Sequence, residues 1–166
     1  MDNEILFSET QRFKQWWLWV LLIGSDLFIL YGVYKQVIKG TTFGSKPASN
    51  TELLIIAFVT LVFTILFLII RLETQIRKDG VYVKFFPLHL KFRHFSWNQL
   101  SKCYVRKYSP MAEYGGWGLR FGFGGKAYNI SGNQGLQLEF KNKKTLLIGT
   151  QRPEELNEAL QKTATR

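Results

Sequence analysis

Cysteine is almost missing from this chain. Cys103 is the only one in 166 residues, so no internal disulfide can form and no cysteine-based metal site exists. A lone cysteine suits a reducing compartment. Histidine is nearly as scarce: His89 and His94 are the only two. Five residues apart, they fall on opposite faces of a continuous strand, which argues against a metal site. Acidic side chains are few, 12 against 22 Lys and Arg, and outside the apolar segments the only aspartates are Asp2 and Asp79. No paired carboxylates, activated nucleophile or ligand cluster stands out. No catalytic, cofactor or metal residue is assigned, and a non-enzymatic protein is expected. The stretch GFGGKA (Gly122–Ala127) departs from a phosphate loop, with Arg120 at the position of the first glycine and Ala127 in place of Ser or Thr. It reads as a two-residue hairpin turn. No secretory signal is expected at the N-terminal run: Asp2, Glu4 and Glu9 precede the first apolar stretch, no small-residue cleavage pattern closes it, and it reads as a retained anchor.

What the chain does have is two long apolar runs, Trp16–Ile38 and Leu53–Ile70. At ~1.5 Å per helical residue, 18 to 23 residues span ~27–35 Å, about the thickness of a bilayer core. The second run has no charge and is apolar all round. The first contains Asp26 near its middle, which costs about 2.5–3.5 kcal/mol on insertion. Twelve Leu, Ile, Val and Phe side chains between Leu18 and Ile38 offset this with roughly 5 kcal/mol. Trp16, Trp17 and Trp19 at one end and Tyr31 and Tyr34 towards the other fit interfacial belts. The expected organisation is a tail and transmembrane hairpin over residues 1–72, with helices at about 15–38 and 53–71, then a β domain over 73–166. Five basic residues flank the outer ends (Arg12, Lys14, Arg71, Arg77, Lys78) against three near the loop (Lys35, Lys39, Lys46). This bias predicts a multi-pass protein of the inner, cytoplasmic membrane with both termini and the β domain cytoplasmic.

In an antiparallel hairpin Asp26 lies level with about residue 62, between Thr60 and Thr64, which share one helix face. A polar lock of Asp26 with these threonines, fixing helix register, is the expected role. A proton or ion relay is the alternative for an intramembrane carboxylate, though relays need several polar groups in series.

Beyond Arg71 the period falls to two. Val81, Val83 and Phe85, then Leu88, Leu90 and Phe92, then Leu136, Leu138 and Phe140 alternate with polar or aromatic neighbours, as half-buried strands do. Turn signals at Lys78-Asp79-Gly80, Gly124-Gly125, Ser131–Gly135 and Lys141-Asn142-Lys143 separate eight strands near 73–78, 81–86, 89–95, 103–108, 119–123, 126–130, 136–140 and 145–149. A closing helix over about 153–162 has Pro153 and two glutamates in its first turn and Leu156, Ala159 and Leu160 on one face. The expected fold class is α+β: a two-helix transmembrane hairpin, then a small antiparallel barrel or bent sandwich closed by a helix.

The segments YGGWGLR (Tyr114–Arg120), KAYNISGNQGLQLEF (Lys126–Phe140) and LLIGTQRPEEL (Leu146–Leu156) resemble the second half of uncharacterised small bacterial membrane proteins in which a two-helix hairpin precedes a pleckstrin-homology-like (PH-like) domain. The resemblance implies a strongly bent seven-stranded barrel with a C-terminal capping helix. Eukaryotic members often bind phosphoinositides through a basic first strand–turn–strand unit. Here that unit, QIRKDGVYVKF, offers only Arg77, Lys78 and Lys84 and lacks the spaced Lys and Arg set of true phosphoinositide binders.

Charge is divided unevenly. Residues 1–70 hold five basic and five acidic side chains, whereas residues 71–166 hold 17 Lys and Arg against seven Asp and Glu. Such a domain favours acidic partners, and it also fits a solvated domain that merely follows the cytoplasmic charge rule. The candidate binding surface is the wet face of the third strand, His89, Lys91 and Arg93, continued by Lys102, Arg106 and Lys107. It reads equally as a solvated edge that resists aggregation. Tyr114 and Trp117, on the glycine-rich loop Ser109–Gly118, extend the candidate surface, although Trp117 folded back would plug the barrel. The basic residues are spread over several strands without a nucleic-acid motif, so no nucleic acid is expected. The expected function is membrane-anchored binding or scaffolding, through a protein partner or self-association. The alternative is a sensor of anionic lipid headgroups. No cofactor is expected.

Overall fold

The computed structural model describes residues 4–122 and 125–164. It divides into two compact units, one formed by residues 14–69 and the other by the described residues up to Phe13 together with those from Ile70 onward. This corrects the expected division at residue 72, because the N-terminal tail belongs with the strands.

In the first unit, helix α1 covers Trp16–Val33 and continues as a π-helical turn over Tyr34–Ile38, and helix α2 covers Asn50–Ile69. Both helical stretches are long and apolar enough to cross a membrane. α2 starts earlier than its apolar run because Ser49 and Glu52 form a capping box. The Glu52 amide donates to Ser49 Oγ (3.2 Å) and the Ser49 amide donates to Glu52 Oε2 (2.8 Å). Phe43 folds back from the connecting loop onto α1, 5.3 Å from the Phe28 ring. Gly32 admits it, since a Cβ there would lie 2.7 Å from the Phe43 ring. Asp26 is buried. The Thr60 hydroxyl donates to the Ala57 carbonyl of its own helix at 3.1 Å, while Asp26 Oδ1 and Thr64 Oγ1 are buried with no hydrogen-bond partner among the described residues. The expected bonds from Thr60 and Thr64 to Asp26 are not made.

The second unit contains strands β1 (Ile5–Arg12), β2 (Arg71–Arg77), β3 (Gly80–Phe86), β4 (Arg93–Ser96), β5 (Leu100–Lys107), β6 (Gly118–Gly122), β7 (Gly125–Asn129), β8 (Gln134–Phe140) and β9 (Thr145–Gly149), with helices α3 (Pro110–Tyr114) and α4 (Pro153–Ala164). They form two sheets, ordered β1-β2-β3-β4 and β5-β8-β9-β7-β6. Of the expected barrel or bent sandwich, no closed barrel is formed among the described residues: β4 and β6 are sheet edges, and β7 pairs with β9 in parallel. Leu72, Ile76, Val81, Val83 and Phe85 from one sheet meet Leu136, Leu138 and Ile148 from the other and Ile130 just after β7. Helix α4 adds Leu156 and Ala159 to this core, as its apolar stripe predicts. Alternation in β2 and β3 therefore reports the buried face directly.

Two local differences have clear causes. Strand β1 is not legible as a strand because its inward face carries Phe7, Glu9 and Gln11, two of them polar. Glu9 and the side-chain amide nitrogen of Gln11 find their partners at long range, while Gln11 Oε1 is buried with no hydrogen-bond partner among the described residues. Glu9 accepts from Thr150 Oγ1 (2.7 Å) and the Gln151 amide (2.8 Å), and Gln11 Nε2 donates to the Gly149 carbonyl (2.7 Å). The second difference is the expected strand 89–95. Residues 87–92 form a loop, and β4 begins only at Arg93. Pro87 has no N–H to give to a ladder and restricts the residue before it. Phe123 and Gly124, part of the expected turn between β6 and β7, lie outside the described residues.

Candidate functional site: a basic cleft in the β domain

Because β4 does not pair with β6, the two sheets leave a cleft of about 940 Å³. Its apolar floor comes from Phe95, Phe140 and Leu146. Phe95 and Phe140 meet edge to face at 5.3 Å, closing the core beneath it. The rim is cationic: Arg93 from β4, Lys126 from β7, and Lys141, Lys143 and Lys144 from the β8–β9 turn. No acidic side chain lines it among the described residues. Lys143 adopts a left-handed conformation (φ 63°), and the Lys144 amide donates to Asn142 Oδ1 at 3.1 Å, so the lysine-rich turn has a defined backbone. Gly125 permits the close approach of β7 to Thr145: its φ is 96°, and a Cβ would lie 2.0 Å from Thr145 Oγ1.

Two of the five cations are held by aromatic neighbours. Arg93 Nη1 donates to the Tyr128 hydroxyl at 3.0 Å, and Lys126 Nζ sits 5.3 Å from the Phe121 ring centre. Tyr128 is buried and takes the edge of the His89 ring at 5.3 Å. Burial, then the charge of Arg93, pushes the His89 pKa below its ordinary value. Its Nδ1 accepts weakly from the Phe85 amide at 3.4 Å, which suits the neutral ring.

The structure brings together only part of the surface expected from the sequence. His89 and Arg93 meet at Tyr128, but His89 and Lys91 lie in the loop and not on a strand face. Lys102, Arg106 and Lys107 are on β5, an edge of the other sheet. Arg106 is committed there: it pairs with Glu113 at 2.7 Å, donates to Gln137 Oε1 at 3.0 Å and reaches the Tyr114 hydroxyl at 3.3 Å. Tyr114 is buried against Tyr108, Ala127 and Leu147, so it is not an exposed contact. Trp117 is half-buried, with its Nε1 donating to the Gly132 carbonyl at 3.1 Å. The loop holding both is ordered by α3, whose N-cap Ser109 accepts from the Ala112 amide. Burial pushes the Cys103 thiol up to about 12, which leaves it unreactive at neutral pH.

Lys126, Lys141, Lys143 and Lys144 were not legible as one surface, since Lys141 and Lys143 read as turn residues and Lys126 as part of a strand. The available signal was Lys141-Asn142-Lys143-Lys144 itself, three lysines in four residues.

These parts occur together beyond this chain. The chain belongs to a family of unknown function, DUF6141, which matches residues 1–165. The match takes in β1, both apolar helices and both sheets, so the strand before the hairpin and the strands after it belong to one family unit. No curated protein and no solved structure matches the chain.

Proposed function

We propose that this DUF6141 member is a membrane-anchored, non-enzymatic binding protein whose β domain takes an acidic, extended protein segment into the basic cleft. The observation that carries this reading is the cleft itself: five cations around an apolar floor, beside the edge strand β4. Its volume falls in the range of ~300–1,000 Å³ usual for ligand sites. An extended segment could add main-chain hydrogen bonds along β4, with its carboxylates meeting Lys126, Lys141, Lys143 and Lys144. Steering by the basic domain would speed encounter.

Anchorage is supported by the surfaces of α1 and α2. Val20, Leu21, Leu27, Phe28, Phe58 and Val59 are each more than half exposed. Side chains of this kind give up about 1.5–3 kcal/mol each when left in water and not buried, whereas lipid accommodates them. The pairing of Arg12 with Arg71 supports an even number of crossings, because the chain before and after the hairpin belongs to one sheet. With the charge bias this favours both termini and the β domain on the cytoplasmic side. For the PH-like likeness, the support is a four-stranded sheet, a second sheet and a terminal helix in that order. The parallel β7–β9 pair is a departure from an all-antiparallel plan.

A photocrosslinking residue at position 126 or 144 of the full chain in native membranes tests the binding reading. Adducts to a Glu- and Asp-rich segment, lost when Lys141 and Lys143 become Glu, are the expected result. Adducts only to lipid, or the same adducts from position 102 on β5, contradict it.

A further inference from the structure

The loop Pro87–Phe92 presents two leucines outward. Leu88 is 65% exposed and Leu90 is 77% exposed, the highest value among the exposed large apolar residues described. The loop is braced from its other side. The His89 amide donates to the Phe85 carbonyl at 2.8 Å, and the Phe92 ring lies 4.7 Å from Lys84 Nζ and edge-on to Tyr82. His89 and Phe92 thus fix the backbone while Leu88 and Leu90 are left out of the core. A single exposed leucine is unremarkable, but two on one braced loop form a directed apolar tip.

Strand register says which end of the sheet this tip occupies. Arg12 pairs with Arg71, and Arg71 pairs with Phe86. These three residues form one end of the first sheet, and the loop starts at the next residue, Pro87. The same end holds both covalent junctions to the apolar hairpin, after Phe13 and before Ile70. Arg12, Arg71, Lys84 and Lys91 supply cations there, with Arg71 5.0 Å from the Phe86 ring and 2.6 Å from Glu73, a single carboxylate that Lys84 shares at 2.8 Å, so the group keeps a net positive charge.

We propose that Leu88 and Leu90 insert into the interfacial layer of the bilayer, with Lys91 and Arg71 at the level of the lipid phosphates. This rests on the reading that α1 and α2 span that bilayer, and it adds a second, reversible contact. Apolar side chains at an interface flanked by Lys and Arg gain from hydrocarbon burial and from anionic headgroups together. The wedge would tie the loop end of the first sheet to the headgroups and restrict the domain's motion on its short links.

The test uses the full chain with Cys103→Ser, carrying one cysteine at position 88, 90, 102 or 61. Each thiol takes an environment-sensitive fluorophore, and the protein sits in nanodiscs of phosphatidylcholine and phosphatidylglycerol containing lipids spin-labelled near the headgroup or deep in the chain. Labels at 88 and 90 should shift to the blue and be quenched by the shallow spin label. The label at 102 should do neither, and the label at 61 should be quenched by the deep one. If 61 is quenched while 88 and 90 behave like 102, the wedge is wrong and the anchor stands. A blue shift at 88 and 90 without lipid quenching also overturns the wedge, showing that protein covers the leucines. If 61 is unquenched, the anchoring reading itself fails and the wedge with it.

Discussion

Arg106 shows how much a single side chain depends on its setting. Its guanidinium faces Glu113, Gln137 and Tyr114, and the Ser109 amide donates to the same glutamate at 2.8 Å. The Arg106 hydrogen bond, followed by that amide against some opposing burial, holds the Glu113 carboxyl below its ordinary value of 4.5. A depressed carboxylate contributes stability above the unfolded value, and this is lost as pH falls through the lower folded value. Glu113→Gln should therefore cost about 1 kcal/mol near neutral pH, the scale of a partly exposed ion pair with an added hydrogen bond. In thermal unfolding of the full chain in detergent, the gap between mutant and parent should narrow as pH falls below the ordinary carboxylate value and close once the depressed folded value is passed. An equal gap at every pH would assign the loss to packing. The sequence places Arg106 among free cations because nothing in it reports that α3 folds back. Seven residues separate the pair, and only the short helix turns Glu113 towards β5. Lys141 and Lys143 are the opposite case: ordinary turn residues in the sequence, they form one rim with Lys126 and Lys144 once β7 and β9 align.

At the scale of elements, strand β1 is the main correction. The two apolar helices follow from unbroken apolar runs, and seven of the eight expected strands from turn signals and period-two alternation, because a strand with one buried face leaves a repeating record. β1 leaves none. Its buried Glu9 and Gln11 are balanced by the β9–α4 junction about 140 residues away, a compensation that local patterning cannot carry. The loop 87–92 was missed for the reverse reason: Leu88, Leu90 and Phe92 alternate without being a strand. Placement of β1 leads to a direct prediction. Since Arg12 and Arg71 lie directly opposite each other, residues 14–69 can be replaced by a short Asn-Gly turn. That variant should be soluble, monomeric and melt cooperatively, whereas removing residues 1–13 from it should expose the edge of β2 and cause aggregation. Sedimentation and thermal melts distinguish the two. A stable monomer lacking residues 1–13 would show that β1 is dispensable.

For the whole molecule, the governing feature is asymmetry of charge and apolarity. The segment up to residue 70 is electrically balanced, and the entire formal charge of +10 belongs to the remainder. Within the β domain this excess is concentrated at the cleft by Arg93, Lys126 and the 141–144 turn. The two apolar helices and the sign of the charge were legible from composition, but the cleft required the sheets to stay open between β4 and β6, a matter of pairing partners that strand patterns alone do not encode. Binding of a fluorescent oligoglutamate peptide to the full chain in neutral-lipid nanodiscs measures the central claim most directly. Saturable binding that weakens with salt, falls about tenfold (about 1.4 kcal/mol) in K126E/K144E and is unchanged in K102E/K107E is the result predicted here. No saturable binding, or an equal fall in both double variants, would contradict a binding site in the cleft.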